Sequence, residues 1–315
     1  MLEDAKSSKK SNGDAVIMKR SFQVSLGILV VLGIAAYLVM QRPGEISRSA
    51  EADDVLVKID SMAVNKLEIT SETGEVTLEK QAGRWMLVNP IKYPADENTV
   101  ASALAQAKSI NLKGLVSSNP DKQSLFKVDS TATLVKVYEK GSESAAFRVG
   151  KPSSTFSETY VRLDNSNDVY LAEGILSSVF SRQPKEWRDK TIYKTDQTGI
   201  TEVKLQHGDT TVNLAFRDSL WFVDRDSAVQ SNVTSFLSSL SNFQADEFID
   251  SAITRLPKLT ATIDVLGSQI RFYYNKDASK YYVQTSGSAQ WFEIQPWRAS
   301  QVLKRKKDFL PAKPT

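Results

Sequence analysis

Apolar residues follow three different rhythms along this chain. From Phe22 to Met40 it reads FQVSLGILVVLGIAAYLVM, with no charge at any position. A helix over about 19 such residues, at about 1.5 Å each, matches a hydrocarbon core of about 30 Å. The pattern therefore predicts a single N-terminal transmembrane helix. Two shorter stripes follow the amphipathic helical spacing. Val100, Ala103, Leu104, Ala107 and Ile110 form one, and Val233, Phe236, Leu237, Leu240 and Phe243 repeat it 133 positions later. Each stripe predicts a helix with one buried face. Around them apolar and polar residues alternate, the signature of strands with one buried side.

The alternating segments repeat in step with the helices. Leu67, Ile69, Val76, Leu78 and Trp85 correspond to Val203, Leu205, Val212, Leu214 and Trp221. Downstream, Tyr160-Val161 matches Tyr282-Val283, and Val169-Tyr170-Leu171 matches Trp291-Phe292-Glu293. Asp164-Asn165-Ser166-Asn167 and Ser286-Gly287-Ser288 supply turn residues inside these hairpins. Trp187 has a counterpart in Phe309 just before the C-terminus. The expectation is an α+β chain with two tandem, related units, residues 55–190 and 191–315. Each carries mostly antiparallel sheet with helices packed on one face.

Charge orients the apolar segment. Lys19 and Arg20 precede it directly, with Lys6, Lys9 and Lys10 further back, whereas Glu51, Asp53 and Asp54 lie beyond it. The positive-inside rule makes residues 1–21 a cytoplasmic tail, 22–40 the span, 41–54 a linker and the rest extracytoplasmic. The expected location is a bacterial inner membrane. A soluble core helix rarely lacks a polar face over this length. A cleaved signal peptide has a shorter apolar region, roughly 7–15 residues, and Ala50-Glu51-Ala52 lies well beyond the segment.

The 315 residues carry a formal charge of +3 and no cysteine. The small charge gives no footprint for nucleic acid. Without cysteine there are no disulfides, thiolate nucleophiles or thiolate metal sites.

Candidate chemistry is sparse. His207 is the single histidine; it sits beside Gly208 at an expected exposed turn, and no G-x-S-x-G elbow accompanies it. Gly150-Lys151-Pro152-Ser153-Ser154 lacks the glycine and the Ser/Thr of a phosphate loop, because Ala145 and Pro152 occupy those positions; it reads as a loop. Glu68, Glu72, Glu75 and Glu79 read mostly as a solvated sheet face. Asp96 and Asp226 precede the two helices and are expected to cap them or form turns. Asp224-Arg225-Asp226 is a poor calcium loop. No catalytic residue, metal or cofactor is assigned. Trp85 and Trp221 are expected in the core. Possible partner contacts are Tyr273 and Tyr281 from the tyrosine hairpin, Trp291 and Trp297, and the basic run Lys304, Arg305, Lys306 and Lys307. That run reads as a solvated helix end or as a contact for lipid head groups or an acidic partner.

The succession "GRWML", "NPIKYPADENTV", "FRVGKPSSTFSETYVRL", "DVYL" and "EWRDK" resembles the bacterial domain of unknown function 4340. The second unit departs from it: there is no VGK-like segment, and "DRDSAVQS" replaces the proline-rich lead-in. The resemblance implies an anchored extracytoplasmic protein, similar in setting to auxiliary components of ABC-2-type transporters, including the gliding-motility-associated GldG-like subunits. It supplies no catalytic motif. The expected function is a non-catalytic, membrane-anchored accessory subunit that binds an ABC-type permease and associated subunits. The alternatives are a cell-envelope scaffold or glycan-binding protein without a transporter, and a hydrolase with an unrecognised carboxylate site.

Overall fold

The computed structural model describes residues 55–312. The expected tail, transmembrane helix and linker lie outside the described residues. Among the described residues, no helix is long and apolar enough to cross a membrane.

The first unit runs β1 (Val64–Ser71), β2 (Gly74–Gln81), β3 (Arg84–Asn89), β4 (Tyr93–Pro94), α1 (Glu97–Lys108), β5 (Leu112–Ser117), β6 (Thr133–Glu139), β7 (Ser142–Pro152), β8 (Glu158–Leu163), β9 (Val169–Glu173) and α2 (Ser177–Phe180). A short 3₁₀ turn, Pro184–Trp187, closes it. The second unit begins with β10 (Thr191–Lys194). It continues through β11 (Glu202–His207), β12 (Thr210–Arg217), β13 (Leu220–Val223), β14 (Asp226–Ser227), α3 (Gln230–Ser241), β15 (Asn242–Gln244) and β16 (Glu247–Ile249). Then come β17 (Leu259–Val265), β18 (Ser268–Asn275), β19 (Lys280–Thr285), β20 (Trp291–Ile294), α4 (Pro296–Val302) and a closing 3₁₀ turn, Lys306–Phe309.

Two nine-stranded sheets result, ordered β4-β3-β2-β1-β6-β7-β8-β9-β5 and β14-β13-β12-β11-β17-β18-β19-β20-β16. Every strand pair within them is antiparallel. Matching strands occupy matching places, so the repeat read from apolar spacing is a repeat of topology. The small β10–β15 ladder also has a precursor, since Thr191 pairs Gln244 as Val55 bridges Asn111.

Alternation explains the layers. Leu67, Ile69, Val76 and Leu78 point to one side of the first sheet, where the α1 stripe meets them in a single buried cluster. Val203, Leu205, Val212 and Leu214 meet the α3 stripe in the same way. Fully burying such a side chain contributes roughly 1.5–3 kcal/mol. Trp85 and Trp221 belong to these cores, as do Trp187 and Phe309.

Three local expectations are corrected. Asp96 caps α1, accepting the Thr99 N–H at 2.7 Å, but Asp226 lies in β14 and α3 starts at Val229 without a side-chain cap. Gly150, Lys151 and Pro152 form the end of β7, so the loop is confined to the residues after Pro152. His207 ends a strand and is half-buried, with Nε2 2.9 Å from the Lys304 carbonyl oxygen.

Candidate functional site

The residues joining the two units come from the "EWRDK" run. Trp187 is wholly buried, which fixes the turn before it, and its carbonyl accepts the Asp96 N–H at 2.8 Å. Arg188 bridges Ala95 in the backbone, and the Asp189 N–H donates to the Pro94 carbonyl. This holds Arg188 on the first unit and aims its side chain at the second. Its guanidinium donates to both carboxylate oxygens of Asp250 at 2.8 Å and to Gln290 Oε1 at 2.9 Å. It also lies against two rings, 4.5 Å from the Tyr93 centre and 3.7 Å from that of Phe248. The two rings meet edge-on at 5.5 Å. Arg188 is only 2% exposed, whereas its partner Asp250 is 55% exposed, and the Arg188 Nε is buried with no hydrogen-bond partner among the described residues. Burial also pushes the Tyr93 hydroxyl above its ordinary value.

Neighbouring contacts reinforce the joint. Lys185 pairs with Glu247 at 3.2 Å, and Lys190 Nζ donates to the Asp246 carbonyl at 2.7 Å. Asp246 in turn holds Arg298, at 2.7 Å, and the Gln295 N–H. Burial alone would raise the Asp246 carboxyl. The hydrogen bonds from Arg298 and Gln295, with the charges of Arg298 and Lys190, bring it below its usual value. Beside the joint opens a cleft of about 490 Å³, walled by Leu87, Pro90, Ile91 and Pro184 with Arg188 and Asp250 at one side. It has the size of a small-molecule site, yet its charged groups largely satisfy each other.

The partner-contact residues expected from sequence fall into separate places. Tyr273 and Trp291 share the face of the second sheet opposite α3, their ring centres 5.3 Å apart. Tyr281 does not join them: it stands with Tyr274 on the helix side, against the core, where burial raises its hydroxyl. Trp297 is 56% exposed on α4, with Arg298 over its ring at 4.7 Å. Of the basic run, the Lys306 side chain is paired within the fold, and Lys304 and Arg305 are held there through their backbone. The Lys304 carbonyl binds His207, Lys306 bridges Asp224 at 3.2 Å and Asp226 at 2.8 Å, and the Arg305 N–H donates to Asp308. Those two carboxylates hold Lys306 more firmly protonated than an ordinary lysine. Lys307 is exposed.

The aromatic face has a cause visible in the repeat. In the first unit the β5–β6 connection, residues 118–132, lies across the corresponding face. Arg162 donates to the Val128 carbonyl and Arg148 to that of Asp129. A Cβ on Gly150 would come within 2.4 Å of the Phe126 carbonyl oxygen, so glycine is what admits the segment. In the second unit the β16–β17 connection is shorter, residues 250–258. Arg271 takes the place of Arg148 in register, and Tyr273 that of Gly150. Aromatic side chains there fill the space that a chain segment fills in the first unit.

Arg188, Asp250, Tyr93 and Phe248 were not singled out by sequence. The available signal was a charged run around a tryptophan that recurs only as Phe309. Among the described residues, no group of three or more His, Cys, Asp and Glu is placed to hold a metal ion.

The family model described as Domain of unknown function (DUF4340) matches residues 85–261, from β3 across the joint into β17. That is more than half of the chain, and the protein belongs to this family. No curated protein and no solved structure matches it.

Proposed function

We propose that the protein is a membrane-anchored extracytoplasmic accessory subunit that binds a membrane complex of ABC-transporter type and performs no chemistry itself. The observation that carries this reading is the Arg188 joint. It couples two similar sheets into one body, as a protein acting by spatial placement requires. The uncharged segment Phe22–Met40, with Lys19 and Arg20 before it, supplies the anchor and its direction. The transporter as partner follows from the family resemblance.

Asp224 and Asp226 support the non-catalytic part, because they share Lys306 and are spent on a structural ion pair. The Tyr273 and Trp291 rings are inclined by 60°, a poor flat platform for stacking a sugar, and this weighs against the glycan-binding alternative.

Two measurements test the reading. Protease added to intact spheroplasts is expected to digest the region after Met40 and spare the N-terminal tail; the reverse pattern overturns the topology. Single alanine variants of His207, Asp224 and Asp226 that fold and reach the membrane are expected to keep near-normal function in cells. Removal of an indispensable general acid or base commonly costs about 10²–10⁴ in rate, so an inactive, folded variant would favour an enzyme.

A further inference from the structure

The β7–β8 hairpin ends in a turn whose construction has no role in either core. Phe156 at its tip is 74% exposed and has a left-handed backbone, φ +56°. A bulky aromatic rarely adopts that conformation. Here the turn is tied on both sides. The Ser153 N–H donates to the Glu158 carbonyl and the Phe156 N–H to the Ser153 carbonyl. The Ser153 and Thr155 hydroxyls both donate to Glu158 Oε2, at 2.7 and 2.6 Å. A well-fastened turn thus presents an apolar ring to solvent.

Its place in the fold is informative. Val55, the first described residue, bridges Asn111. The Asn111 carbonyl accepts the Glu173 N–H, Glu173 pairs with Glu158, and the Gly174 N–H donates to the Ser157 carbonyl. Three strand-to-strand steps of about 4.8 Å therefore put Glu158, at the foot of the Phe156 turn, about 15 Å from Val55. Residues 41–54 join that point to the uncharged segment; a chain of that length reaches at most about 50 Å. An exposed Lys127 lies beside Gly150, Lys151 and Pro152 at the end of β7 that leads into this turn. Lys151 lies over the Tyr160 ring, which packs on Phe126 at 4.8 Å. Apolar tips beside aromatic and basic side chains suit the headgroup region of a bilayer. The equivalent hairpin of the second unit ends in Lys276-Asp277-Ala278-Ser279 and has no aromatic at its tip.

We propose that the Phe156 turn is a membrane-contact element resting in the headgroup region of the bilayer that holds the Phe22–Met40 segment. This rests on the anchored reading above. The contact fixes the first unit against the membrane and leaves the second unit free to meet a partner.

The chain has no cysteine, so a single introduced one is a unique label site. The full chain carrying Ser154→Cys, labelled with an environment-sensitive NBD dye, is mixed with vesicles of phosphatidylethanolamine and phosphatidylglycerol. A second chain is labelled at Ala278→Cys. The expected result has three parts: the chains float with the vesicles, the label at position 154 brightens at least twofold and is quenched by nitroxide lipids, and the label at 278 does neither. Adding Phe156→Ser to the first chain should abolish the change without altering its melting temperature by more than a few degrees. Vesicle-bound chains whose two labels behave alike, or a signal indifferent to Phe156→Ser, overturn the contact and leave the anchor standing. Chains that do not float with vesicles overturn the anchored reading and this inference together.

Discussion

The backbone N–H of Trp85 donates to the carboxylate of Glu97 at 2.8 Å, tying the first residue of α1 to β3. The second unit repeats the contact with Trp221 and Gln230 at 2.9 Å. The repeated feature is an acceptor oxygen at the start of the helix, irrespective of charge. Glu97→Gln is therefore expected to change stability by less than about 0.5 kcal/mol. Glu97→Ala leaves a part-buried donor without its partner and should cost about 1–2 kcal/mol, read by chemical denaturation.

Arg188 is expected to be the most sensitive polar residue of the joint. Truncation to alanine removes the Asp250 pair and the guanidinium packed against Tyr93 and Phe248. A loss of about 2–4 kcal/mol follows, at the lower end for a broken buried pair because Asp250 is itself half-exposed. Calorimetry should show the two units melting apart where the parent melts as one. Arg188→Lys should recover little, since an ammonium lacks the second nitrogen that reaches Gln290 and the flat face that packs on the two rings.

Gly150→Ala probes the covered face of the first unit. Its Cβ would meet the backbone carbonyl oxygens of Phe126 and Lys127 and the Val128 side chain. The expected cost is about 1–3 kcal/mol, as in other overpacked sites. Protease should cut residues 118–132 faster in the variant than in the parent.

Much of the fold was legible because apolar spacing repeats. The 3.6-residue stripes of α1 and α3 and the alternation ending at Trp85 and Trp221 specify which faces are buried, and burial specifies the layers. The joint was not legible. Arg188 meets Asp250 across 62 positions of sequence, and no local period encodes such a contact. Of the two roles read for Asp226, the cap fails because the second unit reaches α3 by a shorter path, while Asp226 closes the Asp224-Arg225 turn opposite Val223 and pairs with Lys306. Strand alternation alone grouped Tyr281 with Tyr273; the register instead pairs Tyr273 with Tyr282 and Tyr274 with Tyr281, which puts Tyr281 on the other face.

Asp246 gives a pH prediction. Its folded-state value is lowered, so its stabilising contribution is fully present above the unfolded value, about 3.9, and is lost as pH falls through the lower folded value. Denaturation midpoints should fall as pH drops from about 5 to 2. Asp246→Asn should be less stable at pH 6 and show a shallower decline in acid.

Holding a partner at the membrane is the role proposed for this chain. The direct measurement is purification of the full chain from its native membrane in mild detergent, with quantitative mass spectrometry of what accompanies it. A permease and an ATPase of ABC type are expected in fixed ratio to the chain, and are expected to be lost when residues 1–40 are removed. Recovery of the chain without any such partner, or with the same proteins after the anchor is deleted, would contradict it.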